Sequence, residues 1–153
     1  GASVGDHDLV RSVLGEQGLE IDFWRIAMRP GKPLIFGKLG KTPMIGLPGN
    51  PVSTLVCAYI FARPALWKMT GRDPDNLQVE KAILTQGLGE NDKRQDYLRA
   101  KLSTNPSGQL QATPFERQDS AMLNLLRKAD CLVIRAPFAS PVAKGTEVEI
   151  IRL

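Results

Sequence analysis

The sequence has one histidine, His7, and two cysteines, Cys57 and Cys131, in 153 residues. The cysteines stand far apart, with no CxxC pair and no Cys/His ligand spacing. That excludes a zinc finger or ribbon and points to buried free thiols in a reducing compartment. A single imidazole has no second ligand of its own type, so His7 reads as a solvated residue between two acids. Long apolar runs are missing as well. None approaches the roughly 20 residues that cross a bilayer, and no secretory signal is present. The expectation is a cytoplasmic protein with no membrane partner.

Charge of one sign is also scarce. The net charge is +4, and it is evenly spread. Residues 1 to 75 hold nine Lys or Arg against seven Asp or Glu, and residues 76 to 153 hold eleven against nine. No basic stripe interleaved with aromatics emerges, which argues against a nucleic-acid partner. What remains is an ordinary globular composition, 42% hydrophobic and 24% charged.

Proline and glycine, by contrast, are concentrated. Two loops carry them, Met28-Arg29-Pro30-Gly31-Lys32-Pro33 and Gly46-Leu47-Pro48-Gly49-Asn50-Pro51-Val52-Ser53. Proline fixes φ and glycine reaches conformations closed to other residues, so such loops present groups rigidly. Arg25, Arg29 and Lys32 lie on or near the first loop, an arrangement suited to an anion. Asn50-Pro51-Val52-Ser53 reads as a helix start, with Asn50 as cap, whose amides are also expected to face an anion. A third small-residue stretch, Gly1-Ala2-Ser3-Val4-Gly5, leads into Asp6 and Asp8. It admits close approach of a phosphate or pterin past Ser3 and Gly5, with an aspartate beside it for Mg²⁺; equally, the aspartates read as helix caps.

Periodicity predicts a helix over 6–18, a strand over 20–28, and short strands near 34–38 and 43–47. A helix follows over 51–69, kinked or split by Pro64. The turn-rich segment 71–76 marks a domain boundary. Beyond it strands are expected near 78–86, 97–104, 109–115, 131–135 and 146–152, with a short helix near 120–128. Five short strands and one helix suggest a small β-barrel or sandwich.

The three small-residue motifs, in this order, with the intervening Ile21–Met28 strand, resemble the MoeA molybdopterin molybdenumtransferases, a family that includes the E domain of gephyrin. Tyr97-Leu98-Arg99-Ala100 and Gln118-Asp119-Ser120 extend the resemblance more weakly. It implies an α/β partial MogA-like, molybdopterin-binding domain followed by a small mostly-β barrel domain. Residues 1–72 would be the C-terminal half of the first, and 76–153 the barrel. It implies insertion of molybdenum from molybdate into adenylylated molybdopterin (molybdopterin-AMP), dependent on Mg²⁺, with release of AMP. The implied partners are a MogA-type adenylyltransferase and a second copy in a homodimer.

By the same resemblance Asp8 serves catalysis and metal binding, and Arg25 and Arg29 are catalytic. Ser3, Gly5, Lys32, Pro48, Asn50, Pro51 and Ser53 bind the pterin substrate, while Arg99 and Ser120 in the barrel help hold oxyanion or phosphate. The chain opens inside what is normally Ser-Gly-Gly-x-Ser-Val-Gly. It is therefore read as a C-terminal piece of a longer protein, with apolar faces left bare and little activity alone. The alternative is a gephyrin-like scaffold that anchors a receptor peptide.

Overall fold

The computed structural model describes residues 13, 15–73, 77–119 and 122–153, which fall into two compact units dividing after residue 74. The helix expected over 6–18 lies largely outside the described residues.

In the first unit, strands β1 (Leu19–Trp24), β3 (Ile35–Leu39) and β4 (Thr42–Gly46) form an antiparallel meander in the order β1-β3-β4. The two-residue turn at Gly40-Lys41 fixes the β3–β4 register, Ile35 against Gly46 and Leu39 against Thr42. A bulge between Ile21 and Phe23 shifts the β1–β3 pairing. The strand expected to run from 20 to 28 is shorter. It stops at Trp24, because Arg25 adopts a left-handed φ of 71° and turns the chain. Only Met28–Arg29 (β2) is extended beyond it.

The long helix is split, as Pro64 led us to expect. Helix α1 (Pro51–Cys57) runs into a five-residue π turn (Ala58–Ala62) and then α2 (Arg63–Met69). Pro64 has no N–H for the preceding turn and crowds the carbonyl four residues back; the wider turn upstream accommodates it, with the Arg63 N–H reaching Ala58 O. Arg63 bridges the join, its guanidinium 4.5 Å from the Tyr59 ring centre and 4.2 Å from that of Trp67. Val52, Val56 and Cys57 are buried on α1, while Leu55, Leu66 and Met69 are exposed.

The second unit is a closed five-stranded barrel, which decides between barrel and sandwich. Strands β5 (Val79–Leu84), β6 (Gln95–Thr104), β7 (Leu110–Pro114), β8 (Cys131–Arg135) and β9 (Glu147–Arg152) run in the order β6-β7-β5-β9-β8. Pairing of β8 with β6, Ala100 against Cys131, closes it. Only β5 with β7 is parallel. Alternate residues point inward: Ala82 and Leu84, Cys131 and Val133, with Ala100, Ala112 and Ile150. The small alanines fit the narrow interior. A short helix α3 (Leu123–Lys128) precedes β8.

Two outcomes follow. A Cβ at Gly37 would sit 2.3 Å from Glu20 O and 3.1 Å from Ile21 Cα, backbone atoms of the paired strand. Gly37→Ala is expected to cost about 2 kcal/mol or more in urea unfolding, against about 0.5 or less for Gly89→Ala, where the space is open. Burial pushes both thiols up to about 12. At pH 8 they stay protonated, so Ellman's reagent should find no reactive thiol in the folded chain and two in guanidinium.

Candidate functional site

The first proline–glycine loop is built on a hairpin end. Arg25 N–H donates to Leu34 O at 3.1 Å, Ile26 N–H to Lys32 O at 2.9 Å, and Leu34 N–H to Gly31 O at 3.1 Å. These bonds close the loop from both sides. Its apolar frame, Met28, Pro30 and Gly31, is buried, whereas Arg25, Arg29 and Lys32 are exposed. The Arg25 guanidinium lies 3.9 Å from the Trp24 ring centre, so the left-handed turn at Arg25 leaves its cation lodged on an aromatic face.

Gly31 is required here. Its φ is +126°, and a Cβ would lie 2.6 Å from Cys57 Sγ and 3.3 Å from Met28 Sδ. The Cys57 thiol, 3.9 Å from Gly31 O, points at its carbonyl. The loop thus rests directly on helix α1.

The second loop is tied to the same helix. Asn50 Oδ1 accepts from Val52 N–H at 3.2 Å and Ser53 N–H at 3.4 Å. Thr54 Oγ1 donates to Pro48 O and lies 2.9 Å from Asn50 O. Pro48 and Ser53 are buried, and Pro51 is exposed. This corrects one expectation. Pro51 has no N–H, and the next two amides are taken by the Asn50 side chain, so the helix start is closed by its own cap and does not offer those amides to an anion. Thr54, which sequence reasoning passed over, carries the tie to Pro48.

In the second unit Arg99 is completely buried. Its Nε lies 3.2 Å from Gln118 Oε1, and its Nη1 donates to Asp119 O at 2.9 Å. Nη2 is buried and, among the described residues, has no hydrogen-bond partner. Burial lowers the Arg99 pKa and nearby Asp119 opposes this, yet a guanidinium stays charged. Ser3, Gly5, Asp8 and Ser120 lie outside the described residues.

Two alternatives to the cationic loop are poorer. A cavity of about 260 Å³ in the first unit, lined by Phe23, Leu34, Phe36, Ile45, Phe61 and Ala65, is apolar and has nothing for an oxyanion. Among the described residues no group of three or more His, Cys, Asp or Glu side chains could hold a metal ion. Nor, among them, is any helix long and apolar enough to cross a membrane. What the geometry offers is three exposed cations on a braced loop and, in the barrel, one buried arginine with a donor to spare.

Residues 1–68 match the family described as a probable molybdopterin binding domain, and residues 81–153 match the MoeA C-terminal region, domain IV. A molybdopterin molybdenumtransferase of Haemophilus influenzae is 34% identical over 98% of this chain and 37% of its own length. The molybdenum cofactor synthesis protein cinnamon of Drosophila melanogaster is 34% identical over 97% of this chain and 25% of its own. The crystal structure of the molybdopterin biosynthesis MoeA protein from Pyrococcus horikosii superposes with a TM-score of 0.77 at 30% identity, covering 95% of this chain and 34% of that one. The chain thus spans between a quarter and just over a third of the length of these relatives. With a molybdopterin-binding type of domain followed by a MoeA-type barrel, matched in order along nearly the whole sequence, the chain belongs to the MoeA family.

Proposed function

We propose that the two proline–glycine loops of the first unit form one wall of a cleft that binds adenylylated molybdopterin and molybdate, in a protein that inserts molybdenum into the pterin and releases AMP. The observation that carries this reading is the first loop. Its apolar frame is buried and braced by backbone hydrogen bonds, and its three cations face outward.

The chemistry fits those groups. Molybdate and the pterin's phosphates are oxyanions, and arginine and lysine donate charge-assisted hydrogen bonds to them. Hydrolysis of the adenylate adds water across the phosphoanhydride and releases AMP, with negative charge building on the phosphate oxygens. Arg25 and Arg29 are assigned to that charge, and Lys32 to holding the substrate. A rigid loop does this with little loss of conformational freedom on binding. Pro48, Asn50, Pro51 and Ser53 shape the pterin side, Asn50 and Pro48 through their bonds to α1. Arg99 is assigned to an oxyanion through Nη2, supported by that buried atom's having no hydrogen-bond partner among the described residues.

Ser3, Gly5, Asp8 and Ser120 keep their assigned roles on the resemblance alone, Asp8 with Mg²⁺. A MogA-type adenylyltransferase, as the source of the adenylylated pterin, and a homodimer belong to the same reading. So does a division near 72–76 between a partial MogA-like domain and the barrel, supported by the two compact units.

The test is AMP release from adenylylated molybdopterin with molybdate, in a full-length protein carrying these residues. Arg29→Ala should lower turnover by about tenfold or more, the loss of one charge-assisted contact, with an unchanged melting temperature. The 153 residues alone should bind molybdate and turn over little or nothing. Unchanged turnover in Arg29→Ala, or robust turnover by the short chain, would overturn the reading.

A further inference from the structure

We propose that Gln118 is a positioning residue, which fixes the Arg99 guanidinium so that Nη2 is kept for an oxyanion. The inference rests on the role given to Arg99 above and adds to it how that role is maintained.

Gln118 uses every hydrogen-bonding valence of its amide within the barrel. Oε1 accepts from the Arg99 backbone N–H at 3.0 Å and from Arg99 Nε at 3.2 Å. Nε2 donates to Arg99 O at 3.0 Å and to Phe115 O at 2.8 Å. Its place in the sheet explains this pattern. The β6–β7 ladder ends at Ala100 against Pro114, and Phe115 N–H still reaches Arg99 O. Beyond that point β7 turns away, and the Gln118 amide takes over as a substitute for the missing backbone. A side chain bonded to both the main chain and the Nε of one residue allows that residue few rotamers. Nη1 is then held by Asp119 O, and Nη2 is left over.

The type of residue matters as much as its position. Only an amide accepts and donates at once. A glutamate at 118 would accept from Arg99 but would remove the side-chain donor to Phe115 O and leave Arg99 O with the Phe115 N–H alone. It would also pair directly with the guanidinium. A neutral amide orients the guanidinium without neutralising it, so the positive charge remains available to an anion. For an arginine that served the fold alone, a carboxylate would be the better partner.

The experiment is a molybdate titration of the 153-residue chain by calorimetry, comparing wild type, Arg99→Met, Gln118→Glu and the double variant. The Arg99 Nε–H resonance is followed by NMR alongside. Arg99→Met is expected to weaken molybdate binding about tenfold, the ratio of one charge-assisted hydrogen bond. Gln118→Glu should do the same, and the double variant should be no weaker than Arg99→Met alone. In wild type the Nε–H signal should be slow to exchange and should shift on adding molybdate; in Gln118→Glu it should start displaced and respond no further. Wild-type binding by Arg99→Met would sink the reading of Arg99 and the role of Gln118 with it. A weakened Arg99→Met beside an unaffected Gln118→Glu, or an additive loss in the double variant, would sink the role of Gln118 alone. If Gln118→Glu does not fold, the wild-type signal decides, and an Nε–H that ignores molybdate overturns the proposal.

Discussion

The contact between Gly31 and the Cys57 thiol governs the first unit. Two loops rich in proline and glycine are held in one place because both rest on helix α1, the first through Gly31 and Cys57, the second through Thr54 and Asn50. Cys57 is one turn beyond Thr54, so a single helical face receives both. A larger residue at 31 would push the loop off the helix. With it would go the frame that turns Arg25, Arg29 and Lys32 outward. The cysteine is therefore best understood as a small packing residue, protonated and unreactive, and its chemistry is irrelevant to its place.

The second unit solves a related problem differently. There the cation is inside, and burial of a guanidinium is unfavourable unless its donors are met. The barrel bonds Nε and Nη1 with an amide and a carbonyl oxygen, not with a carboxylate hydrogen bond. Charge is thus preserved at the expense of stability. The pair Asn91 and Arg135 in the same barrel makes the contrast clear. Arg135 is also buried, but its Nη2 is within reach of Gly89 O, Ala139 O and Ser140 O, and Asn91 Nδ2 of Arg94 O, Arg135 O and Ala136 O. That network ties loops together and leaves Nη2 of Arg135 well supplied. Among the described residues, Arg99 Nη2 is the buried guanidinium nitrogen without a hydrogen-bond partner.

Much of this was legible in the sequence, and the reasons are local. Alternation marked Val79–Leu84 as a strand and an apolar run marked Cys131–Arg135, Pro64 announced the split helix, and Asn50-Pro51 announced its start. The Pro-Gly wording of the first loop pointed to the cationic group and, with the other motifs, to the family. What could not be read depended on contacts distant in sequence or on unusual backbone. Nothing in an arginine advertises the left-handed φ that ends β1 at Arg25. Barrel and sandwich differ by the β6–β8 pairing, which no local pattern encodes. The amides at Asn50 were expected to face an anion because helix starts commonly do; the side chain of the same asparagine competes for them and wins by proximity. Gln118 was visible as part of a motif, but its four bonds to Arg99 and Phe115 appear only once β7 leaves the ladder.

The exposed and the buried cations carry different physical information about function. Exposed lysines and arginines are screened by water and salt, and they contribute little to folding. Their placement on a loop with glycine at positive φ and a buried frame is hard to explain by stability. A solvated basic turn would need neither Gly31 nor the packing beneath it. The buried arginine leads to the same conclusion from the opposite direction, because an apolar residue would fill its volume with no donor left over. In both units a local arrangement that stability alone would not favour coincides with a positive charge. Oxyanion binding, as proposed above, accounts for both with one chemistry.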